Sequence, residues 1–512
     1  MKTCCTLSSE RKAESHPFHP VDMPLMKREK LLVKQNISIR ETMRLIDQSA
    51  IGIALVVDSD DRLLGTVTDG DLRRAVLAGR DLNAPVAGIM FRDPVTVTPS
   101  MDTQDIRKVF IESTLKHIPV VDGAGRVVDL LLVSDLLSVP LSNPDITDRE
   151  RQAVLEVLQT AHLSLGPKVV EFEKKIAAFV GRKHAIAVNS GTSGLHLIVK
   201  SMGLGPGDEV ITTPFSFIAS SNCLLFEGAT PVFVDIESDT YNIDPEKIEA
   251  AITGKTKAIL VVDVFGQPVR YDEIERIAQR HGLKIISDCC ESIGSEYRGR
   301  RSGSFGAAGV FAFYPNKQIT TGEGGVIVTD DDELTKLCRS YRNQGRGEKG
   351  GWLCHERIGY NYRLPDICCA MGIVQLERIE EIVEKRQEVA DMYARALGDF
   401  DELILPTVRP EVNRISWFVY VVRLADRFTR ERRDGIIQTL NRHGIGANSY
   451  FQPIHLQPFY VQRFGFIEGM FPVAEFSSQR TIALPFHNSL TGKSIQAVAD
   501  RLKSALAEPV GA

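Results

Sequence analysis

The sequence predicts an α/β protein preceded by a smaller α+β module, and three observations carry that expectation. From about residue 139 onward, short apolar runs alternate with stretches of helical spacing, the pattern of strands and helices built around a mainly parallel sheet. Before residue 139, one strand–turn–strand unit occurs twice. A chain of 512 residues also exceeds what one ordinary core accommodates, so two or three domains are expected.

Bulk properties narrow the class. Hydrophobic residues make up 43% and charged residues 25%, an average globular balance. A net charge of -5 gives no electrostatic reason to expect nucleic acid or an acidic membrane as partner. Apolar runs such as Ala258–Val262 have the length of buried strands, not of a membrane span. Residues 1–27 mix Lys, Glu, Ser, His and Pro without an apolar core, which predicts a disordered leader and not a secretory signal. The nine cysteines are odd in number and lack metal-ligand spacing, so neither a disulfide framework nor a metal site is expected. Reduced thiols in a cytoplasm fit this pattern.

The repeat spans residues 28–138, with copies at 28–85 and 86–138. Ala54–Asp58, a polar turn and Arg62–Gly65 are echoed by Ile118–Asp122 and Arg126–Asp129. Amphipathic stretches, Ile39–Asp47 and Thr103–Ser113, precede the two copies. One such unit cannot cover both of its faces, so the copies should pack together. This repeat resembles a cystathionine-beta-synthase (CBS) domain pair. In that family a Gly-x-x-Thr-x-x-Asp pattern holds the ribose of an adenine nucleotide. The first copy has Gly65, Thr68 and Asp71; the second has Asp129, Leu132 and Asp135, which keeps only the final Asp. The resemblance therefore implies a nucleotide site at Thr68, Asp71 and Asp135. A spacer or dimerising module without ligand is the alternative.

A Pro- and Ser-containing linker, Ser138–Pro144, leads into a large domain at residues 139–400 and a small α+β lobe at 401–512. In the lobe, Trp417–Leu424 alternates as a strand and Ile495–Leu506 has helical spacing. Arg427–Arg433 is expected to form a solvated helix face. Three segments of the large domain point to chemistry. Ala185–Val188 is a short strand that runs through Asn189-Ser190-Gly191-Thr192-Ser193-Gly194 into the helical stretch Leu195–Ser201. Amides at a helix start, with hydroxyls beside them, form either an anion site or a plain helix cap. Lys284–Asp288 is a strand ending in a carboxylate, where open α/β sheets contact ligands. Phe311–Gly325 places Lys317 between an aromatic strand and a Gly-rich loop, a setting that favours a desolvated, nucleophilic amine.

These segments, together with LSNP at Leu141, LSLGPKVVEFE at Leu163, GDEVITTPFSF at Gly207, PVFVD at Pro231, SDCCESIGS at Ser287 and GYNYRLPD at Gly359, resemble the DegT-type nucleotide-sugar aminotransferases. That family belongs to the fold-type-I pyridoxal-phosphate enzymes. The resemblance implies that Lys317 bonds the coenzyme and then shuttles protons, and that Asp288 pairs with the ring nitrogen. It implies that Gly191, Thr192 and Ser193 bind the phosphate, that Phe217 lies against the ring, and that Glu291 sits near the phenolic oxygen, where Gln or His is more usual. Ala312 stands where many relatives have a phosphate-binding Ser. Asn361 matches a residue that reaches the partner subunit of a homodimer.

Arg363, Tyr450 and His455 are weaker candidates for substrate contacts. The implied reaction moves an amino group from glutamate to a nucleotide-linked keto sugar, as perosamine synthases do with a 4-keto-6-deoxyhexose. Two rival readings remain. The family's dehydratase branch carries His where Lys317 stands, which argues against it. A nucleotide sensor on an inert scaffold would need neither Lys317 nor Asp288.

Overall fold

The computed structural model describes residues 31–49, 51–99, 101, 105–106, 109–110, 113, 115–132, 139–347 and 353–507. The chain divides into two compact units, residues 1–138 with 442–444 and residues 139–441 with 445–512.

In the first unit, β1 (Leu32–Lys34) pairs in parallel with β2 (Ile53–Val57), which pairs antiparallel with β3 (Leu63–Thr68). The amphipathic stretch after β1 forms α1 (Ile39–Ser49), and α2 (Asp69–Leu77) follows β3. The second copy repeats the hairpin as β4 (His117–Val121) and β5 (Val127–Leu132). Both hairpins shift register at equivalent points, Val56/Val57 and Val120/Val121, so the repeat extends to backbone irregularity. All five residues of β2 are buried. Ala54 and Val56 pack with Val33, Ile39 and Val67, while Ile53, Leu55 and Val57 pack with Val127 and Leu130 of the second copy. Neither copy covers its own strands completely. The expected leader at residues 1–27, Asp135 and most of the Thr103–Ser113 stretch lie outside the described residues.

The second unit is built on a seven-stranded sheet. Its strands are β6 (His184–Val188), β7 (Glu209–Thr212), β8 (Thr230–Phe233), β9 (Thr256–Val262), β10 (Lys284–Asp288), β11 (Ala308–Ala312) and β12 (Gly325–Thr329), in the order β6-β12-β11-β10-β9-β7-β8. Neighbours pair in parallel except at β12, which is antiparallel to both β11 and β6. These strands are short and apolar because helices bury both faces, as a parallel sheet demands. One layer of side chains from Ile186, Leu260 and Val310 packs with Leu195 and Ile198 of α3 (Gly191–Ser201). The other, from Ala187, Phe311 and Val326, packs with Phe172 and Ile176.

The small lobe pairs β13 (Leu403–Ile404), β14 (Tyr420–Leu424) and β15 (Thr481–Leu484) antiparallel in that order. A helix at Gly492–Ala507 ends the described chain and buries Ile495, Val498 and Leu502. The expected strand at Trp417–Leu424 begins only at Tyr420, since Trp417 turns the backbone with a φ of 48°. The expected solvated face at Arg427–Arg433 needs correction at one residue. Arg433 is fully buried on the helix Arg430–Arg442, where its Nη1 donates to the carbonyls of Ser478 (2.7 Å) and Thr481 (3.0 Å). Those carbonyls need a donor, and a guanidinium reaches two at once.

Candidate active site

Three strand ends bring distant residues together. At the first, β6 runs out through Asn189 and α3 begins at Gly191. Ser190 caps this helix, its Oγ accepting the Ser193 N–H at 3.1 Å. The first helical turn leaves amides without an intrahelical carbonyl, and the helix dipole adds positive potential at the same end. Gly191 is required by close approach: a Cβ there would stand 2.7 Å from Cys290 Sγ and 2.9 Å from Ala312 Cβ.

The second end is that of β10, which delivers Asp288 between β9 and β11, in register with Val262 and Val310. Asp288 is 5% exposed. Its Oδ2 accepts from Ser220 Oγ at 2.7 Å and its Oδ1 from the Cys290 N–H at 3.1 Å. The third is the β11–β12 hairpin. Its loop carries Lys317, whose N–H donates to the Tyr314 carbonyl at 2.9 Å. The Lys317 amine sits 3.4 Å from Glu291 Oε1 and 3.9 Å from the centre of the Phe418 ring. Glu291 is buried, and its Oε2 accepts the Phe265 N–H at 2.9 Å. Burial pushes the Glu291 carboxyl above its ordinary value, against the pull of the neighbouring amine.

The three ends enclose a cavity of about 350 Å³ lined by Gly191, Thr192, Phe217, Asp288, Glu291 and Lys317. Tyr450 also lines it, from the small lobe, stacked on Phe418. Phe217 is 61% exposed, so an apolar ring face stands open at the wall.

Other expected residues lie elsewhere. Ser193 is buried in the cap, where its Oγ donates to Asn189 Oδ1 at 2.6 Å, and it is Ser190 that lines the cavity. Asn361 is exposed, and Arg363 donates to Asn343 Oδ1 at 2.9 Å. His455 is fully buried against Phe466 and Phe471 and hydrogen-bonded to Glu475 at 2.9 Å. That environment gives it a structural partner away from the cavity.

Ser220, Cys290, Phe265 and Phe418 escaped the sequence reading. Ser220 carried a signal, since it lies three residues after Phe217 and so within one helical turn. Phe418 carried none. It reaches the site because the buried Arg386 donates to the carbonyls of Trp417 (2.6 Å) and Phe418 (3.0 Å).

In the first unit a cavity of about 760 Å³ is lined by Thr68, Arg73, Phe91, Lys116 and His117 among others. Burial pushes the His117 imidazole below its ordinary value. Asp71 does not line this cavity. Thr68 and Asp71 form a capping box for α2: Thr68 Oγ1 and N–H donate to Asp71 Oδ2 at 2.6 and 2.8 Å, and Arg74 holds the other oxygen.

The residues that line the cavity around Lys317 and Asp288 in the second unit fit pyridoxal phosphate. The helix start and the Gly191 cradle suit a phosphate, the fixed Asp288 carboxylate suits a pyridine nitrogen, and the Lys317 amine suits an aldehyde. Fold and site together define a pyridoxal-phosphate-dependent aminotransferase of fold type I. More narrowly, the chain belongs to the DegT/DnrJ/EryC1/StrS aminotransferase family, whose sequence pattern matches residues 144–503, and CBS domains match residues 21–78 and 86–142. It is 40% identical to the spore coat polysaccharide biosynthesis protein SpsC of Bacillus subtilis over 381 residues, which is 72% of this chain and 98% of that protein. It is 39% identical to GDP-perosamine synthase of Caulobacter vibrioides over 376 residues, 73% of this chain and 100% of the relative. Among solved structures it resembles PseC of Helicobacter pylori, an aminotransferase involved in pseudoaminic acid biosynthesis, with a TM-score of 0.69 at 33% identity over 72% of this chain and 99% of that one. Among the described residues, no helix is long and apolar enough to cross a membrane.

Proposed function

We propose that the second unit transfers an amino group from glutamate to a nucleotide-linked keto sugar, with a 4-keto-6-deoxyhexose as the substrate class. The observation that carries this reading is the convergence of Lys317 and Asp288 on one cavity beside a helix amino terminus. Similarity over the whole length of GDP-perosamine synthase supports the sugar class.

Pyridoxal phosphate, when bound, supplies an electron sink conjugated to the carbon that gains or loses the amine. Thr192, Ser190 and the first amides of α3 would hold its phosphate, with Ser193 acting through the cap. Asp288, steered by Ser220 and the Cys290 amide, would face the ring nitrogen with its negative charge. Phe217 would cover an apolar ring face, and Glu291 would stand beside Lys317. The Lys317 amine would take a proton from one carbon and return it to another, serving as base and then acid. Tyr450 would contact the sugar from the small lobe, and Arg363 would meet a carboxylate or phosphate. Asn361, exposed, would face a second copy of the chain in a homodimer acting in the cytoplasm.

The test is a panel of keto sugars on GDP, UDP and dTDP, offered with glutamate and followed by mass spectrometry. One carrier should give the amine-for-ketone mass change. Turnover of none of them, by protein that binds coenzyme, would overturn the substrate assignment.

A second reading concerns the first unit, where the cavity beside Thr68 favours a nucleotide that tunes transamination. Calorimetry with purine and pyrimidine nucleotides, with Asp71→Ala as control, tests it. Absence of heat with every nucleotide removes the idea.

A further inference from the structure

The lysine amine is held from two sides by groups that the reaction scheme leaves without a task. On one side is the Glu291 carboxylate, with an oxygen 3.4 Å from Nζ. On the other is the face of Phe418, 3.9 Å from the amine. Both favour a cation: a carboxylate by direct attraction in a water-poor cavity, an aromatic face through its quadrupole. The carboxylate has little freedom to swing away, because its second oxygen is fixed by the Phe265 N–H and the side chain is buried. The amine belongs to a side chain only 13% exposed, so solvent ions screen the pair weakly.

Other ionisable groups on the cavity wall are Asp288, Cys290, Tyr314, Glu323 and Tyr450. Asp288 has both oxygens engaged by Ser220 and the Cys290 amide. Burial holds the Cys290 thiol and the Tyr450 hydroxyl in their neutral forms by pushing both above their ordinary values. Tyr314 and Glu323 are exposed at the mouth. Among the described residues, Glu291 is the carboxylate within ion-pair distance of Lys317.

We propose that Glu291 is a positioning residue for Lys317, the fixed counter-charge that sets where the lysine nitrogen sits and favours its protonated form once it is joined to the coenzyme. The inference rests on the coenzyme reading above and deepens it. The catalytic nitrogen is steered by a second carboxylate, distinct from the one that faces the ring.

The experiment reads colour and not turnover. The full-length protein is saturated with pyridoxal phosphate, and its long-wavelength absorbance is titrated with pH in wild type, Glu291→Gln and Glu291→Asp. Glutamine keeps the shape and can still accept the Phe265 N–H, but it carries no charge. The pH at which the yellow form is lost is expected to fall by about one to three units in Glu291→Gln, the size of effect an opposite charge at this range exerts. Glu291→Asp, with its charge drawn back by one methylene, is expected to give a smaller shift in the same direction. An unchanged midpoint in Glu291→Gln overturns the inference. Should that variant fail to fold, a Glu291→Asp midpoint identical to wild type overturns it equally. A wild-type protein that never turns yellow would instead sink the coenzyme reading, so the two failures are distinguishable.

Discussion

At Gly191 the helix start and the neighbouring strand ends leave no room for a methyl group, with Cys290 and Ala312 both inside normal contact range of a Cβ. Gly191→Ala should therefore cost about 1–3 kcal/mol in denaturant unfolding and weaken coenzyme affinity, measured by fluorescence or absorbance titration. Lys317→Ala makes a different cut. It removes the amine without crowding anything, so the fold should survive while the yellow colour is lost and turnover falls by at least about 10²–10⁴-fold. Normal turnover by that variant would defeat the assignment of Lys317. A third residue, Asp263, gives a pH signature. It is fully buried and accepts from Ser292, Ser302, Tyr271 and the Val269 amide, with its carboxyl pushed up by desolvation to about 6. A carboxyl group that folding makes harder to ionise stabilises the fold while protonated. Its contribution is whole below the ordinary value of 3.8 and is lost as pH rises through about 6. Relative to wild type, Asp263→Asn should thus gain up to about 3 kcal/mol across that window, read from urea midpoints at each pH. Parallel pH profiles of the two proteins would contradict it.

Among the elements, α3 does two jobs at its first turn, and the cap can be tested apart from the ligand. Ser190→Ala removes the acceptor of the Ser193 N–H and should lower stability by about 1 kcal/mol in coenzyme-free protein. The parts of the site that were legible in the sequence are those where one element carries its own signal. The strand Lys284–Asp288 matches its expected limits, and the NSGTSG turn and the lysine loop both sit at strand ends. What was illegible came from contacts between distant segments. Phe418 arrives through Arg386, and Phe265 contributes only its amide, which no side-chain pattern announces. His455 and Arg433 show the converse. In the sequence His455 is a candidate substrate contact and Arg433 part of an expected solvated face, yet tertiary packing buries both and supplies partners in Glu475 and two carbonyls. The Thr68–Asp71 pair was also open to a second reading, since Thr-x-x-Asp before a helix is the signature of a capping box.

For the molecule as a whole, the division at residue 138 has a consequence for folding. Relatives matched over 98–100% of their own length align with only 72–73% of this chain. A chain starting at Val139 is therefore expected to fold and bind coenzyme alone, with an absorbance spectrum like that of the full protein. Failure to bind would make the first unit part of the catalytic fold. The domain limits expected from the sequence, 28–138, 139–400 and 401–512, are a proposal that this truncation examines at its first boundary. Coenzyme at about a hundredfold excess over its dissociation constant should also stabilise the second unit by about 2.7 kcal/mol, visible as an upward move of its thermal transition.

Trp417, buried and tethered to Gln387, precedes the phenylalanine whose ring carries the lysine amine. The chain has two tryptophans, and this one directly precedes Phe418, which lines the cavity. Excited in the ultraviolet, it would pass its energy to any chromophore seated beside Lys317. Occupancy could then be followed as a dimming of emission, without labels and in real time.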